Sequence, residues 1–126
     1  MRKPNLWGEI VEGKNCRFGA FCDIGNVTFG DNCKIQTHVS IPSGWIIGNN
    51  VFIGPGARFA NDKHPVIGTE WHPEKGIVED GASIGMGALI GAGVSIGANA
   101  VIGMGAVVTH DVPAGETWYG NPARKV

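Results

Sequence analysis

The chain has 126 residues, of which 21 are glycine and 17% are charged, and its formal net charge is −1 at neutral pH. That length suits a single domain, and the near-neutral charge gives no sign of a nucleic-acid or anionic-membrane partner. The sequence contains no long apolar run and no secretory signal peptide after Met1, so we expect a soluble, cytoplasmic protein without a membrane partner.

A six-residue repeat begins near Phe18. A small residue stands two positions before most of the repeated large ones, but Trp45 occupies that position before Ile47. A helix with a 3.6-residue period cannot keep such positions on one face, whereas a short strand can turn both residues inward. The repeated residues of the first half, with one five-residue step, are Phe18, Ile24, Phe29, Ile35, Ile41, Ile47, Ile53 and Phe59.

The period predicts how the strands stack. Three strands and three corners close a triangular coil of 18 residues, and parallel pairing places successive coils about 4.8 Å apart. Because of the five-residue step, Cys16 and Cys33 should lie one above the other in adjacent coils. These two residues and Cys22 lack the C-x-x-C spacing of a zinc site and the pattern of a disulfide framework, so we expect buried, reduced thiols.

The repeat stops after Phe59 and resumes at Val78, 19 residues later, which is not a multiple of six. Two His-Pro pairs, at His64 and His72, lie in between. Since proline fixes φ and disfavours helix in the preceding residue, each pair indicates an extended kink. We therefore expect residues 60–77 to leave the coil as an external loop, which on a rigid scaffold is a usual place for a functional site.

The repeat is most regular in the stretch SIGMGALIGAGVSIGANAVIGMGAVV, where a glycine follows four successive aliphatic residues. We expect these glycines at corners where the backbone must turn without a Cβ atom. Residues 112–126 then leave the repeat, and we expect them to cap the last coil, as solenoids require. Residues 76–123 contain no Lys or Arg, and Arg124 and Lys125 follow together, either as a solvated basic terminus or as cations that meet phosphates.

The [LIV]-G-x-x-x-x pattern of residues 10–112 resembles the left-handed parallel β-helix of hexapeptide-repeat acyltransferases. The resemblance implies an all-β fold of about five coils, in one domain over residues 1–126. It also implies a homotrimer with active sites between subunits, and the sparse polar cover of residues 85–106 agrees with faces that pack on neighbours or line a groove. General connection rules favour right-handed crossovers, so the left-handedness comes from the resemblance alone.

A narrower resemblance rests on NVFIGPGARFANDKHP and EDGASIGMGALI. They are similar to nucleotide-linked amino-sugar N-acetyltransferases, which acetylate UDP- or dTDP-sugars for surface polysaccharide synthesis, over about residues 35–124. The most telling part is Phe59-Ala60-Asn61-Asp62, followed by Pro65. The chain departs from that family at His64, where an aromatic residue is typical, and in having no N-terminal nucleotide-sugar-binding region of the kind that some members carry.

The resemblance implies acetyl-CoA as co-substrate and no metal. An amine attacks the thioester, and histidine is the usual proton carrier near neutral pH, which makes His38 and His64 the candidates. Asn61 would position the acceptor or the acetyl group, and Asp62 and Lys63 would bind the acceptor. The predicted contacts of the cofactor's thin pantetheine arm and phosphates are Gly85, Gly91, Ala98, Gly103, Gly105, Arg124 and Lys125.

Three other functions fit the same fold. Transfer of the acetyl group to a sugar or serine hydroxyl would need a base, so an essential histidine would favour it. A γ-class carbonic anhydrase would need three histidines around one metal, but His38, His64 and His72 are spaced unlike that family. A non-catalytic trimeric scaffold is the remaining alternative, and it would not bind acetyl-CoA.

Overall fold

The structure is a computed structural model that describes residues 8–126. This part of the chain consists of short strands and turns without a helix, so no helix in it could cross a membrane. The strands are β1 Arg17–Phe18, β2 Asp23–Ile24, β3 Thr28–Phe29, β4 Lys34–Ile35, β5 Ser40–Ile41, β6 Trp45–Ile47, β7 Phe52–Ile53, β8 Arg58–Phe59, β9 Gly76–Val78, β10 Ser83–Ile84, β11 Leu89–Ile90, β12 Ser95–Ile96, β13 Val101–Ile102, β14 Val107–Val108, β15 Thr117–Gly120 and β16 Ala123–Lys125.

The strands form the three faces of a triangular prism. Face 1 contains β1, β4, β7, β10, β13 and β15 in parallel, with β16 added antiparallel; face 2 contains β2, β5, β8, β11 and β14; face 3 contains β3, β6, β9 and β12. Every third strand thus pairs with the strand one coil below. The predicted left-handed parallel β-helix is confirmed, with about six turns where the sequence predicted about five.

The core is a set of columns of aliphatic side chains. In nearly every two-residue strand the first side chain points outward and the second is buried, as the alternation predicts. One column runs up face 1 through Ile35, Ile53, Ile84 and Ile102, which are register partners and at most 1% exposed. Burial of each isoleucine side chain contributes about 2 kcal/mol, so the stack is stabilised along its whole length.

The register confirms the five-residue step. Phe18 pairs with Ile35, which places Cys16 beside Cys33 in the next coil. All three cysteines are free, and the Cys33 thiol donates to the Gly48 carbonyl at 3.0 Å. Burial, with a smaller contribution from the neighbouring Cys16, raises the pKa of Cys33 to about 11, so this thiol is neutral at physiological pH.

The glycine that follows each aliphatic residue lies at a corner, but for a different reason from the one predicted. A Cβ atom on Gly85 would lie 2.5 Å from the Met104 nitrogen in the next coil. The positive φ falls two residues later, at Gly87 (68°) and Gly105 (69°), and in an earlier coil at His38 (61°). The first glycine of each corner is therefore required by coil stacking, and the second position provides the turn.

The C-terminal segment caps the helix as a hairpin. Thr117 and Trp118 pair in parallel with Val101 and Ile102, and the chain then reverses through β16. Ala123 is buried, and Trp118 packs partly against the core. The segment thus continues face 1 although its sequence has left the repeat.

Candidate functional site

The interruption of the repeat lies at one edge of the prism. Strand β8 ends at Phe59 in face 2, and β9 begins at Gly76 in face 3. Residues 60–75, here called the insertion, therefore leave the coil at the edge between faces 2 and 3, and the chain returns to the coil two residues before the predicted end of the loop. From residue 63 to residue 75 every side chain is exposed, so the insertion projects from the scaffold.

Asn61 is held at the base of the insertion by three contacts. Its Nδ2 donates to the Ser43 carbonyl at 2.9 Å, and its own carbonyl accepts from the Glu74 backbone N–H at 2.8 Å. The preceding residue, Ala60, donates its N–H to the Ile90 carbonyl at 2.9 Å. Since the Ser43 carbonyl only accepts, the amide nitrogen of Asn61 must face it, and Oδ1 faces away, with no partner among residues 8–126.

The next residues form a turn. An Oδ1 oxygen of Asp62 accepts from the His64 backbone N–H at 3.1 Å, an Asx arrangement that fixes the chain direction after Asn61. The His64 side chain is exposed. The predicted acceptor-binding residues Asn61, Asp62 and Lys63, together with the candidate base His64, are thus consecutive and lie at the mouth of the insertion.

The two ends of the insertion meet over the coil above. A Cβ atom on Gly93 would lie 3.5 Å from the Cε of Lys63 and 3.7 Å from an Oε2 oxygen of Glu74. The absence of a side chain at Gly93 leaves open the space beneath this ammonium and carboxylate. The sequence analysis missed Glu74 because it lies near the end of the insertion, where no repeat or motif marks it.

His38, the other candidate base, lies elsewhere in the chain. It occupies the corner between β4 and β5, at the edge between faces 1 and 2, where its ring packs on Phe21 with centroids 5.0 Å apart. Its Nδ1 is 2.7 Å from the Thr37 hydroxyl. Strand β5 pairs with β8 in face 2, so His38 precedes that face and the insertion follows it. One chain therefore does not bring His38 and Asn61 into one site.

The remaining histidines have local partners. His72 Nε2 lies 3.3 Å from the Glu70 carboxylate on the exposed insertion, and His110 Nδ1 lies 3.0 Å from the Thr109 hydroxyl. Residues 8–126 contain no group of three or more His, Cys, Asp or Glu side chains that could hold a metal ion. The carbonic anhydrase alternative thus finds no ligand set in the described part of one chain.

The predicted cofactor residues cluster only in part. Gly103 lies under the Tyr119 ring beside a cavity of about 410 Å³, whose other lining residues are Val101 and Met104. A Cβ atom on Gly105 would meet open space, whereas one on Gly91 would lie 3.0 Å from the Val108 carbonyl oxygen, and Gly85 is closely covered by the coil above. Ala98 lies on a different part of the surface, in a shallow cavity between faces 3 and 1.

The two terminal cations differ in their partners. Lys125 forms an ion pair with Glu116 at 3.4 Å, and Arg124 donates to the Ala123 carbonyl at 2.9 Å. The indole N–H of Trp118 lowers the pKa of Glu116, and Lys125 adds to this effect. Lys125 is thus partly neutralised, while Arg124, which has no carboxylate partner within the described residues, is the better placed of the two for a phosphate.

A triangular β-solenoid with one insertion at an edge defines a hexapeptide-repeat protein. The chain belongs to the bacterial transferase hexapeptide (six repeats) family, whose profile matches residues 26–61 and 76–110. The profile of the hexapeptide repeat of succinyl-transferase matches residues 10–41. The first profile breaks where the insertion begins and resumes at β9, so the sequence match and the structure locate the interruption at the same place.

Known proteins with similar sequence or structure include transferases. The bifunctional protein GlmU of Thermodesulfovibrio yellowstonii is 40% identical over 81 residues, 64% of this chain, and the chain spans only 16% of GlmU. The acetyltransferase VCA0836 of Vibrio cholerae, in complex with acetyl-CoA, is 28% identical with a TM-score of 0.80, covering 90% of this chain and 68% of that one.

AntD of Bacillus cereus, an N-acyltransferase in complex with dTDP and coenzyme A, has a TM-score of 0.85. The match covers 93% of this chain and 72% of AntD. At 22% identity, this likeness concerns the fold.

Proposed function

We propose that the protein is an acyltransferase that moves the acetyl group of acetyl-CoA to the amino group of a nucleotide-linked amino sugar, as in surface polysaccharide synthesis. The observation that carries the proposal is Asn61, whose amide is fixed by Ser43 and Glu74 and whose Oδ1 is left open at the mouth of the insertion. Family membership and the acetyl-CoA bound by VCA0836 support the donor. The nucleotide-sugar acceptor rests on the FAND sequence around Asn61, and the fold of AntD accommodates dTDP beside coenzyme A.

The geometry suggests how the acceptor is oriented. Oδ1 of Asn61 can accept one N–H of the acceptor amine, which turns the nitrogen lone pair toward the thioester carbonyl. A C–N bond forms, the C–S bond breaks, and coenzyme A leaves as a thiol after taking up a proton. A neutral amine is already a good nucleophile, so the remaining requirement is a carrier for the proton that leaves the amine, for which His64 and His38 are the candidates.

The donor fits the C-terminal coils. Gly103 and Gly105 lie beside the cavity under Tyr119, and Arg124 is the cation free of a carboxylate partner in residues 8–126. A pantetheine arm needs close backbone approach, and phosphates need a cation nearby. Lys125 contributes less, because Glu116 already pairs with it.

We also infer a cytoplasmic homotrimer in which neighbouring chains complete the site. His38 and the insertion lie at opposite edges of face 2, so a site that uses both has to be formed by two chains. The edge that carries His38 is rich in exposed apolar side chains, which favours burial against a partner. These side chains, all at least 45% exposed, are Phe21, Met86, Leu89 and Met104.

The decisive assay incubates the full chain with acetyl-CoA and a panel of UDP- and dTDP-linked amino sugars and follows products by mass spectrometry. Asn61→Ala should lower kcat/KM at least about 100-fold, because loss of the orienting contact removes much of the positioning effect. The matched control is Asn49→Ala. It also loses one side-chain to backbone contact, to Asp31 N–H at 2.7 Å, but at another edge, and it should keep full activity.

Three outcomes would contradict the proposal. If no amino sugar is acetylated but hydroxyl acceptors are, the O-acetyl alternative replaces it. If calorimetry detects no binding of acetyl-CoA, the scaffold alternative replaces it. If Asn61→Ala retains the parent kcat/KM, the acceptor site lies elsewhere on the molecule.

A further inference from the structure

Trp45 is unlike the residues at equivalent positions. It opens β6 and points into the prism, where most coils carry a small residue, and it is 1% exposed. Its ring packs edge-on against Phe59, with centroids 4.9 Å apart and planes at 73°. Its Nε1–H donates to the Ala60 carbonyl at 2.9 Å. A buried indole N–H needs such an acceptor, and here the acceptor is the first residue of the insertion.

The same ring also meets the far end of the insertion. Trp45 is the register partner of Gly76, and a Cβ atom on Gly76 would lie 2.6 Å from the Cη2 and Cζ3 atoms of the indole. Only a residue without a side chain fits there. The indole therefore lies between Phe59 and Ala60, where the chain leaves the coil, and Gly76, where it returns.

The segment that carries Trp45 also holds Asn61. Ser43 accepts the Asn61 amide N–H, Trp45 donates to the Ala60 carbonyl, and the Gly44 carbonyl accepts from Gly76 N–H at 3.3 Å. Because the peptide unit is planar, fixing the Ala60 carbonyl also fixes the orientation of the Asn61 nitrogen and Cα. Residues 43–45 thus constrain both the backbone and the side chain of Asn61.

We propose that Trp45 is a positioning residue for the transfer reaction, whose indole N–H orients Asn61 through the Ala60 carbonyl. This inference rests on the proposed function. Trp45 is too deeply buried to contact the acceptor, so it acts through Asn61. Packing alone would need no polar atom at this position, and the phenyl ring of phenylalanine could occupy part of the space without engaging Ala60.

The test variant is Trp45→Phe, which keeps an aromatic ring and removes the N–H donor. Ala60 is exposed, so water can replace the lost contact and the fold should persist. We expect kcat to fall about 10-fold, with the KM for acetyl-CoA unchanged. Hydrogen exchange at the Glu74 amide, which bonds to the Asn61 carbonyl, should accelerate about 10-fold because the base of the insertion opens more often.

The control is Phe29→Leu, which trims a buried ring packed on Phe18 in the first coils, away from the insertion. It should lower the thermal midpoint but leave kcat and Glu74 exchange as in the parent protein. If Trp45→Phe does not fold, Trp45→Met, which fills space flexibly without a donor, takes its place with the same readouts.

The outcomes separate the two proposals. If the parent protein acetylates no acceptor, the proposed function fails, yet Glu74 exchange in the Trp45 variant still tests the clamp. If the parent is active and the Trp45 variant retains both kcat and slow exchange, the positioning role is overturned. A loss of kcat in Phe29→Leu as large as in Trp45→Phe would also overturn it, since general destabilisation would then explain both.

Discussion

The coil stack and the insertion differ in what holds each residue in place. In the stack, a residue such as Ile84 is fixed by register partners above and below, Ile102 and Ile53, and by complete burial. In the insertion, Ile67 is fully exposed, and fixed contacts concentrate at the base around Asn61. Repetition therefore builds a rigid prism, and chemistry is added where the repetition stops, at an edge that the coils above and below support.

The largest effect should come from removing the insertion and leaving the stack intact. Deletion of 13 residues, 62–74, shortens the step from Phe59 to Val78 from 19 residues to six and restores the repeat. We expect a folded β-helix, because loop closure contributes little to stability at this length, and a complete loss of acetyl transfer. Circular dichroism and the mass-spectrometric assay measure the two properties.

Two results of the deletion would contradict the comparison. An unfolded product would mean that the insertion stabilises the coils, and a product that still transfers acetyl groups would place the active site outside the insertion. A shorter deletion of residues 66–71, which leaves the period broken, is the matched control. It should also fold, since it removes only exposed residues.

The sequence predicts the stack better than the insertion for a physical reason. Stacking makes position a matter of arithmetic, so the partners of Ile84 and the adjacency of Cys16 and Cys33 follow from spacing alone. The same arithmetic places His38 at a corner equivalent to that of Gly56, away from the insertion edge. The location of the insertion was predictable because the period fails there, and its end was misplaced by two residues because β9 has three residues where most strands have two.

Contacts within the insertion had no such rule. The bonds from Asn61 to Ser43 and Glu74, and from Trp45 to Ala60, join segments with no common period. Trp45 offered the one usable signal, since its size was out of place in the repeat, but size alone does not reveal an acceptor. Asn61 itself was predicted from resemblance, and its role remains a proposal.

A smaller effect should distinguish buried from projecting aliphatic residues. Ile84→Ala leaves a cavity in the central column and should reduce the free energy of unfolding by about 3 kcal/mol. Ile67→Ala, at a fully exposed site on the insertion, should change it by no more than about 0.5 kcal/mol. Urea denaturation at one protein concentration measures both. Equal losses in the two variants would mean that Ile67 is buried in the assembled protein.

The smallest effect concerns charge in the stack. Burial raises the pKa of Cys33 to about 11, above the unfolded value, so the folded protein holds this proton more tightly than the unfolded chain does. The resulting stability is fully present below about pH 9 and is lost as pH rises toward 11, by roughly 2 kcal/mol in total. Cys33→Val, an apolar residue like the buried Val27 and Val39 at equivalent positions, should flatten this part of the profile.

Burial also raises the pKa of Cys22, so some decline above pH 9 should persist in Cys33→Val, and Cys22→Val serves as the matched variant. Urea unfolding at successive pH values from 8 to 11 measures each profile. If Cys33→Val declined as steeply as the parent protein, the Cys33 thiol would already ionise inside the folded coil. The interior of the stack would then be wetter than its closely stacked columns indicate, and the contrast with the exposed insertion would be weaker than the structure implies.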